Sequence, residues 1–499
     1  MLEHIAALMI LAPLIAAFVV SGLAWLRTKY CLPVALAGLL GSLLASLAAL
    51  NKVVSGGALS YKMASWPPPV GIELRVDLFN GLVLVAVAAV ALINLAASWE
   101  FIKRELEDRK ETFLALYLLF VTGLLGVTAT ADLFNLYVLL EITSLSGYAL
   151  IALGPSPRAP LASLNYVYLG VIGASFYLLG VGYLYIMTGS LNMGDIASLL
   201  PQIWASQTVL VGFIFCLVGV WIKMAFFPMH IWLPNAYTYA SMTASRVMAP
   251  LMTKVMVYVM IRLMLTVFGA EYVFGILDLS PIIVWLAVLA IVAGAVMALV
   301  QRNLAKILCY IIISEIGYMV GGAWLGNQAA MTGTILHLIN DALMTFAVFL
   351  AAGNFAFKLG ELRLENLREA FARMPLSGLG FILAGMSIVG VPPTCGFFSK
   401  WYLISGGLEA GQYAYVGALL LSSLINAVLF VRVAEYAYFG NLQAVHGHHG
   451  EHHEVKTDEA PPAMVACLLL VTVGLVLVGL YSGSIVSEMI QPFVLGSLI

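Results

Sequence analysis

Apolar residues recur along this chain in runs of about 18 or more, closed by glycine, proline or charged flanks rather than broken into the alternation of half-buried strands. A run of that length crosses the ~30 Å hydrocarbon core of a bilayer as a helix. The pattern predicts about fourteen transmembrane helices, near 4–26, 32–54, 79–99, 113–131, 133–153, 162–187, 208–233, 243–267, 280–301, 305–325, 328–357, 376–409, 413–438 and 462–482. No intervening stretch is large enough for a soluble domain, so residues 1–499 read as a single, all-α, polytopic membrane domain. The first run follows "MLEH" without a basic segment or a small-residue cleavage site, and reads as a retained helix.

The polar stretches between the runs carry the orientation. Basic residues such as Arg27, Lys29, Lys103, Arg104, Arg158, Arg302, Lys358, Arg363, Arg368 and Lys456 fall in connections from odd to even helices. The positive-inside bias makes those loops cytoplasmic and puts both termini outside a multi-pass protein of the cell membrane. The outward stretch 55–76 is too polar and proline-rich to span, and its end, "IELRV", predicts a short hairpin strand. The mixed-charge segments 100–111 and 358–375 read as solvated faces, the second as a surface helix. "HGHHGEHHE", residues 446–454, reads as a solvated inward loop, since nothing fixes its imidazoles in a metal-binding geometry.

Composition narrows the function classes. The chain is 62% hydrophobic and 10% charged, with a mean hydropathy of +1.02. Its 23 Lys and Arg against 25 Asp and Glu give no electrostatic footprint for nucleic acid. The five cysteines have no C-x-x-C spacing, and neither a dinucleotide fingerprint nor a P-loop occurs, so no cofactor is expected and redox or nucleotide chemistry belongs to a partner.

Two of the long spans, 208–233 and 376–409, are interrupted by proline. "IKMAFFPMHIWLP" carries Lys223 before the break and "VGVPPTCGFFSKWYLI" carries Lys400 after it. Broken backbone at membrane depth is tolerated only where it is buried in protein or lines a wet cavity. The mirrored order of lysine and break predicts two inverted repeats, 113–267 and 280–438, and points to transport.

Glu141, Lys223 and Lys254 lie within apolar spans, and a charge at the bilayer centre costs ~2.5–3.5 kcal/mol unless it pairs or meets water. A Glu141–Lys223 pair that forms and separates is a proton switch, whereas a permanent pair only pins two helices. Lys306, Glu315, His337, Asp341 and Lys400 extend the polar series through the second half, which resembles a proton relay more than a staple. His230, in the first break, reads either as a core imidazole or as part of a proton path. Lys306 and Arg302 stand near a helix start, and Arg246 and Arg262 near the ends of their span, where snorkelling to the surface explains them.

The segment "PMHIWLPNAYTYASMTASRVMAPLMTKVMVY" resembles the P-x-H-x-W-L-P-[DN]-A…K-V-x-x-Y core of the proton-translocating antiporter-like subunits. That family serves Mrp-type cation/proton antiporters and the membrane arms of complex I and energy-converting hydrogenases. "DLFNLYVLLEITSLSGYALIA", "QRNLAKILCYIIISEIGYM" and "GVPPTCGFFSKWYLI" match as well, over roughly residues 75–440, and the likeness is nearest to the D-type Mrp subunits. The resemblance implies fourteen helices with two inverted five-helix repeats. It implies proton passage by Glu141 with Lys223, then Lys254, then His337 and Lys400. The chain departs at "NDALMT", where Asp341 and Thr345 replace a histidine and a lysine common in relatives, and Glu315 stands where glutamine is common.

The expected function is therefore proton translocation in a multisubunit Na⁺(K⁺)/H⁺ antiporter, beside other hydrophobic subunits and lipid and without catalytic chemistry of the chain's own. The rivals are a membrane-arm subunit of a redox-driven pump and a channel module of an ion-coupled uptake complex. If Asp341 and Glu315 both approach His337, they would favour its charged form or ligate a cation. The alternative is that Asp341 caps a local helix break and Thr345 is a packing substitution.

Overall fold

The structure, a computed structural model, describes residues 4–367, 370–439 and 457–498. Arg368, Lys456 and the histidine-rich stretch 446–454 lie outside the described residues. The chain begins with α1 (Ile5–Leu26) and α2 (Cys31–Gly56), then a hairpin of β1 (Leu59–Lys62) and β2 (Glu73–Val76). Six helices follow: α3 (Leu78–Glu105), α4 (Lys110–Ala129), α5 (Leu133–Ala152), α6 (Ala159–Thr188), the short α7 (Met193–Leu199) and α8 (Gln207–Lys223). Next come α9 (Trp232–Tyr239), α10 (Met242–Arg262), α11 (Ser280–Val300), α12 (Leu304–Trp324) and α13 (Gln328–Leu359). The remainder is α14 (Ala370–Arg373), α15 (Pro375–Val389), α16 (Cys395–Glu409), α17 (Tyr413–Phe439), α18 (Pro462–Leu480), α19 (Ser482–Ile485) and α20 (Gln491–Leu498).

Twelve of the described helices are long and apolar enough to cross a membrane, or thirteen when one bent pair is taken as a single span. The expected fourteen is not reached by that measure because the proline-broken spans are cut into short pieces. The first yields the 17-residue α8 and the 8-residue α9, and the second the 15-residue α15 and the 15-residue α16.

Polar residues at the apolar boundaries set where helices begin. Asp77 forms a capping box with Asn80 at α3, and Asp132, Ser206, Ser241, Asn303 and Asn327 each accept a backbone N–H at the start of α5, α8, α10, α12 and α13. The strand expected at "IELRV" is present as β2, paired antiparallel with β1 from Leu59 opposite Val76 to Lys62 opposite Glu73. The hairpin docks on the α4–α5 turn through the Ala131 N–H, which donates to the Glu73 carbonyl at 2.9 Å.

The bundle is layered around α10, in which every residue from Thr243 to Arg262 is buried. A span that carries Arg246, Lys254 and Arg262 belongs inside protein, where those charges find partners. α13 packs on α10 and joins it to α16, while α1, α2, α6, α11 and α17 form the rim. Neighbours pack in matching order in the two halves: α4 on α5, α5 on α6 and α6 on α8, then α11 on α12, α12 on α13 and α13 on α16. Close approach of α6 and α8 depends on glycine, since a Cβ at Gly219 would stand 2.6 Å from the Gly173 carbonyl oxygen.

Segment 358–375 is less regular than expected. Lys358 lies in the last turn of α13, which ends at Leu359, a 3₁₀ turn covers Leu364–Leu367, and the four-residue α14 comes before α15. The helical tail beyond 482, α19 to α20, was not expected from the sequence, where its serines and glutamine interrupt the apolar pattern.

Candidate functional site

The broken spans bring charge to the interior by ending helices there. α8 stops at Lys223, and its open C-terminal end is covered by Trp232, whose indole N–H donates to the Ile222 carbonyl at 3.1 Å. Trp232 is held by stacking on Tyr166, ring centroids 3.9 Å apart. A cation at a helix C-terminus meets the negative end of the dipole, which suits a lysine there. The Lys223 ammonium lies 3.5 Å from Glu141 Oε1 and donates to Ser144 Oγ at 2.7 Å and Tyr148 Oη at 3.4 Å. Glu141, Ser144 and Tyr148 share one face of α5 by their spacing. The lysine is buried, whereas the Glu141 side chain keeps 24% exposure.

The second charged group lies between α10 and α13. Lys254 Nζ stands 3.0 Å from Asp341 Oδ2 and donates to Thr345 Oγ1 at 3.4 Å and the Ala249 carbonyl at 3.3 Å. Thr345 Oγ1 in turn donates to Asp341 Oδ1 at 2.8 Å.

The third group spans α12, α13 and α16. His337 Nε2 and Glu315 Oε2 are 2.6 Å apart, and His337 Nδ1 is 2.9 Å from Ser399 Oγ. Glu315 Oε1 faces Lys400 Nζ at 3.8 Å. Lys400 also donates to the Ile388 carbonyl at 2.5 Å and Ser423 Oγ at 3.1 Å. The second break makes that possible: Gly390, with φ of +93°, turns the chain after α15, and a Cβ there would sit 3.2 Å from Lys400 Cδ.

These contacts sort the residues singled out above. Glu141 with Lys223, Lys254 with Asp341, and Glu315 with His337 and Lys400 are brought together. Of the two acids expected at His337, Glu315 arrives and Asp341 does not, because the buried Lys254 offers it an opposite charge. Nor does Asp341 cap a break, since α13 runs unbroken through it, and Thr345 is bonded rather than a packing substitute. His230 stacks on Phe227 at a centroid distance of 5.2 Å, and no hydrogen bond or ion pair joins it to Lys223 among the described residues. Lys306 stays near the end of its helix, over the Tyr239 ring at 5.7 Å, apart from the buried groups.

Arg246 and Arg262 do not snorkel. Arg246 is fully buried and donates to the Phe349 and Leu350 carbonyls of α13, and Arg262 binds both oxygens of Asp77. Ser144, Tyr148, Ser399 and Ser423 were missed. The first two were signalled by their three- and seven-residue offsets from Glu141, and Ser399 by its place beside Lys400.

A sequence profile described as NADH:quinone oxidoreductase/Mrp antiporter, TM, matches residues 130–426. The chain is 39% identical over 500 residues to NADH-quinone oxidoreductase subunit N of Desulforudis audaxviator (strain MP104C), covering 98% of both. It is 29% identical over 392 residues to the D subunit of the Na(+)/H(+) antiporter of Bacillus subtilis (strain 168), covering 78% of both. Among solved structures, a chain of the membrane-bound sulfane sulfur reductase, an archaeal respiratory membrane complex, superposes with a TM-score of 0.90 at 27% identity over 99% of both chains. A chain of the Mrp complex from Dietzia sp. DQ12-45-1b gives 0.85 at 24% identity, over 100% of this chain and 99% of that one.

Proposed function

Because the chain belongs to the NADH:quinone oxidoreductase/Mrp antiporter family of transmembrane proteins, we propose that it translocates protons within a multisubunit membrane complex, along a buried row from Lys223 through Lys254 to His337, Glu315 and Lys400. The observation that carries this reading is the burial of the row: Lys223, Lys254, Glu315, His337, Asp341 and Lys400 are each at most 4% exposed, and every lysine has an acid facing it. A staple between two helices needs one such pair. Three in succession, each with a hydroxyl beside the charge, supply groups that can gain and lose protons along the middle of the bundle.

Glu141 is the most open member of the row and is where protons arrive; it holds Lys223 charged until the pair separates and the desolvated ammonium gives up its proton. His230 and Lys306, apart from the row, play no part in this path. Residues 113–267 and 280–438 act as inverted repeats, a reading supported by the reversed order of lysine and break. The chain lies in the cell membrane with both termini outside, an orientation supported by the basic residues of its odd-to-even loops.

Two readings of the complex follow. A redox-driven complex is favoured by the 39% likeness over 98% of both chains to a NADH-quinone oxidoreductase component, with 27% identity to a chain of a respiratory reductase complex. An Mrp-type Na⁺(K⁺)/H⁺ antiporter is favoured by the Bacillus subtilis antiporter relative, at 29% over 78%. Proton uptake by vesicles carrying the complex tests both. Lys223→Ala should stop uptake with assembly intact, and undiminished uptake would refute the path. Uptake driven by quinone or sulfur-compound turnover, rather than by a Na⁺ or K⁺ gradient, supports the redox reading; the reverse supports the antiporter.

A further inference from the structure

Outside the row, two cations converge on one phenol. Arg158 stands at the start of α6, Lys306 in the first turn of α12 and Tyr239 at the end of α9, so the three meet at one surface of the bundle. Gly154, in the turn before α6, makes the approach possible, since a Cβ there would collide with the Tyr239 carbonyl oxygen. α9 packs on both α6 and α12 and so carries the phenol to both cations. Arg158 Nη1 donates to Tyr239 Oη at 3.0 Å, and Lys306 Nζ lies 5.7 Å from the Tyr239 ring centre. Among the described residues neither cation forms an ion pair, whereas Lys103, Arg302, Lys358 and Arg363, at other helix ends and connections, each face an acid. Arg158 is exposed and Lys306 and Tyr239 are half-buried, so an anion from outside the chain can reach them.

We infer that Arg158, Lys306 and Tyr239 bind the phosphate of an anionic phospholipid. Two like charges drawn to one neutral phenol repel each other, and an anion between them turns that repulsion into attraction. The guanidinium offers a planar fork of N–H donors, the ammonium a point charge, and the phenol, whose oxygen accepts from Arg158, keeps its own O–H to donate. The membrane side of the site points to a lipid as the source of the phosphate. From Arg158, α6 runs into the apolar layer with Leu161, Leu164, Tyr168 and Ile172 exposed, spaced by three and four residues along one face. That stripe seats an acyl chain beneath the headgroup, and free phosphate gains nothing from it. The inference is independent of the proton path, since Lys306 and Tyr239 lie apart from the buried row.

The test uses the whole complex in phosphatidylcholine nanodiscs doped with phosphatidylglycerol that carries a photoreactive group in one acyl chain. After illumination and digestion, the label should be found on the exposed stripe of α6. A phosphatidylcholine probe with the same chains should label that stripe at least about fivefold less. Arg158→Gln and Lys306→Gln should each lower the phosphatidylglycerol label by a similar factor, and Lys306→Arg should keep it. Equal labelling of the wild-type complex by the two probes would overturn the inference, whether or not the variants assemble. An unchanged headgroup preference in both glutamine variants would overturn it as well. Loss of the preference in millimolar inorganic phosphate would make free phosphate the ligand in place of a lipid. A carbodiimide crosslink from Lys306 to a carboxylate of another subunit would replace the lipid by a neighbouring chain.

Discussion

Lys223→Arg separates holding a charge from moving a proton. The structure allows the arginine to be held: at 3.5 Å from Glu141 the pair attraction is about 5 kcal/mol at an effective dielectric of ~20. The guanidinium fork can also use the Ser144 and Tyr148 oxygens that the ammonium now uses. The larger head costs ~1–3 kcal/mol if the site is overpacked, less than that attraction, so the variant should fold and assemble. Release is another matter. Arginine holds its proton far more tightly than lysine does, a gap worth about 3–5 kcal/mol. The neutral form is then rarer by ~10²–10³ in the same surroundings. If each turnover passes through neutral Lys223, proton uptake should fall about 100-fold or more. The assay is dye-monitored proton uptake by vesicles, normalised to assembled complex on native gels. An arginine variant working at more than half the wild-type rate would refute the switching role and leave Lys223 a staple.

Glu315→Gln keeps a partner for His337 but removes the charge shared with Lys400; stranding a buried charge costs ~3–5 kcal/mol, so uptake should be lost, and a normal rate would detach Lys400 from the path. Ser144→Ala deletes the 2.7 Å bond to the ammonium, worth ~1.5–3 kcal/mol, and should slow uptake with rescue by threonine; equal rates in all three would make the hydroxyl incidental. Gly353→Ala places a Cβ on the buried Arg246 guanidinium and should lower the melting temperature of the purified complex through ~1–3 kcal/mol of overpacking; an unchanged Tm would contradict the packing described.

The spans were legible because a bilayer-crossing helix needs only length and apolarity, and both are read directly from sequence. The breaks were legible for the same reason in reverse, since proline at membrane depth has few explanations. Partner choice was not. Asp341 sits four residues from His337 and 87 positions from Lys254 in sequence, so local spacing favoured the histidine. Only the crossing of α10 on α13 brings the lysine to 3.0 Å, where its ammonium offers the carboxylate a full opposite charge. Arg246 and Arg262 were misjudged on the same ground: a position near a helix end implies the surface only when no neighbouring helix covers it. Here Phe349 and Leu350 carbonyls cover one and Asp77 the other.

The unusual acids gain meaning when the row is taken as a whole. Lys223, Lys254 and Lys400 face Glu141, Asp341 and Glu315. The charged forms of these three pairs sum to zero. A buried row with three lysines and fewer acids would resist an arriving proton by repulsion, and one with surplus acids would trap it. On the proposed path, one proton added to the balanced row would be its only surplus charge, and each ion pair could re-form behind it. Where the resemblance implies a histidine, a lysine and a glutamine, the chain carries Asp341, Thr345 and Glu315. Glu315 compensates Lys400 at one end, and Asp341 compensates Lys254 in the middle. Exchanging either acid alone unbalances the row by one charge.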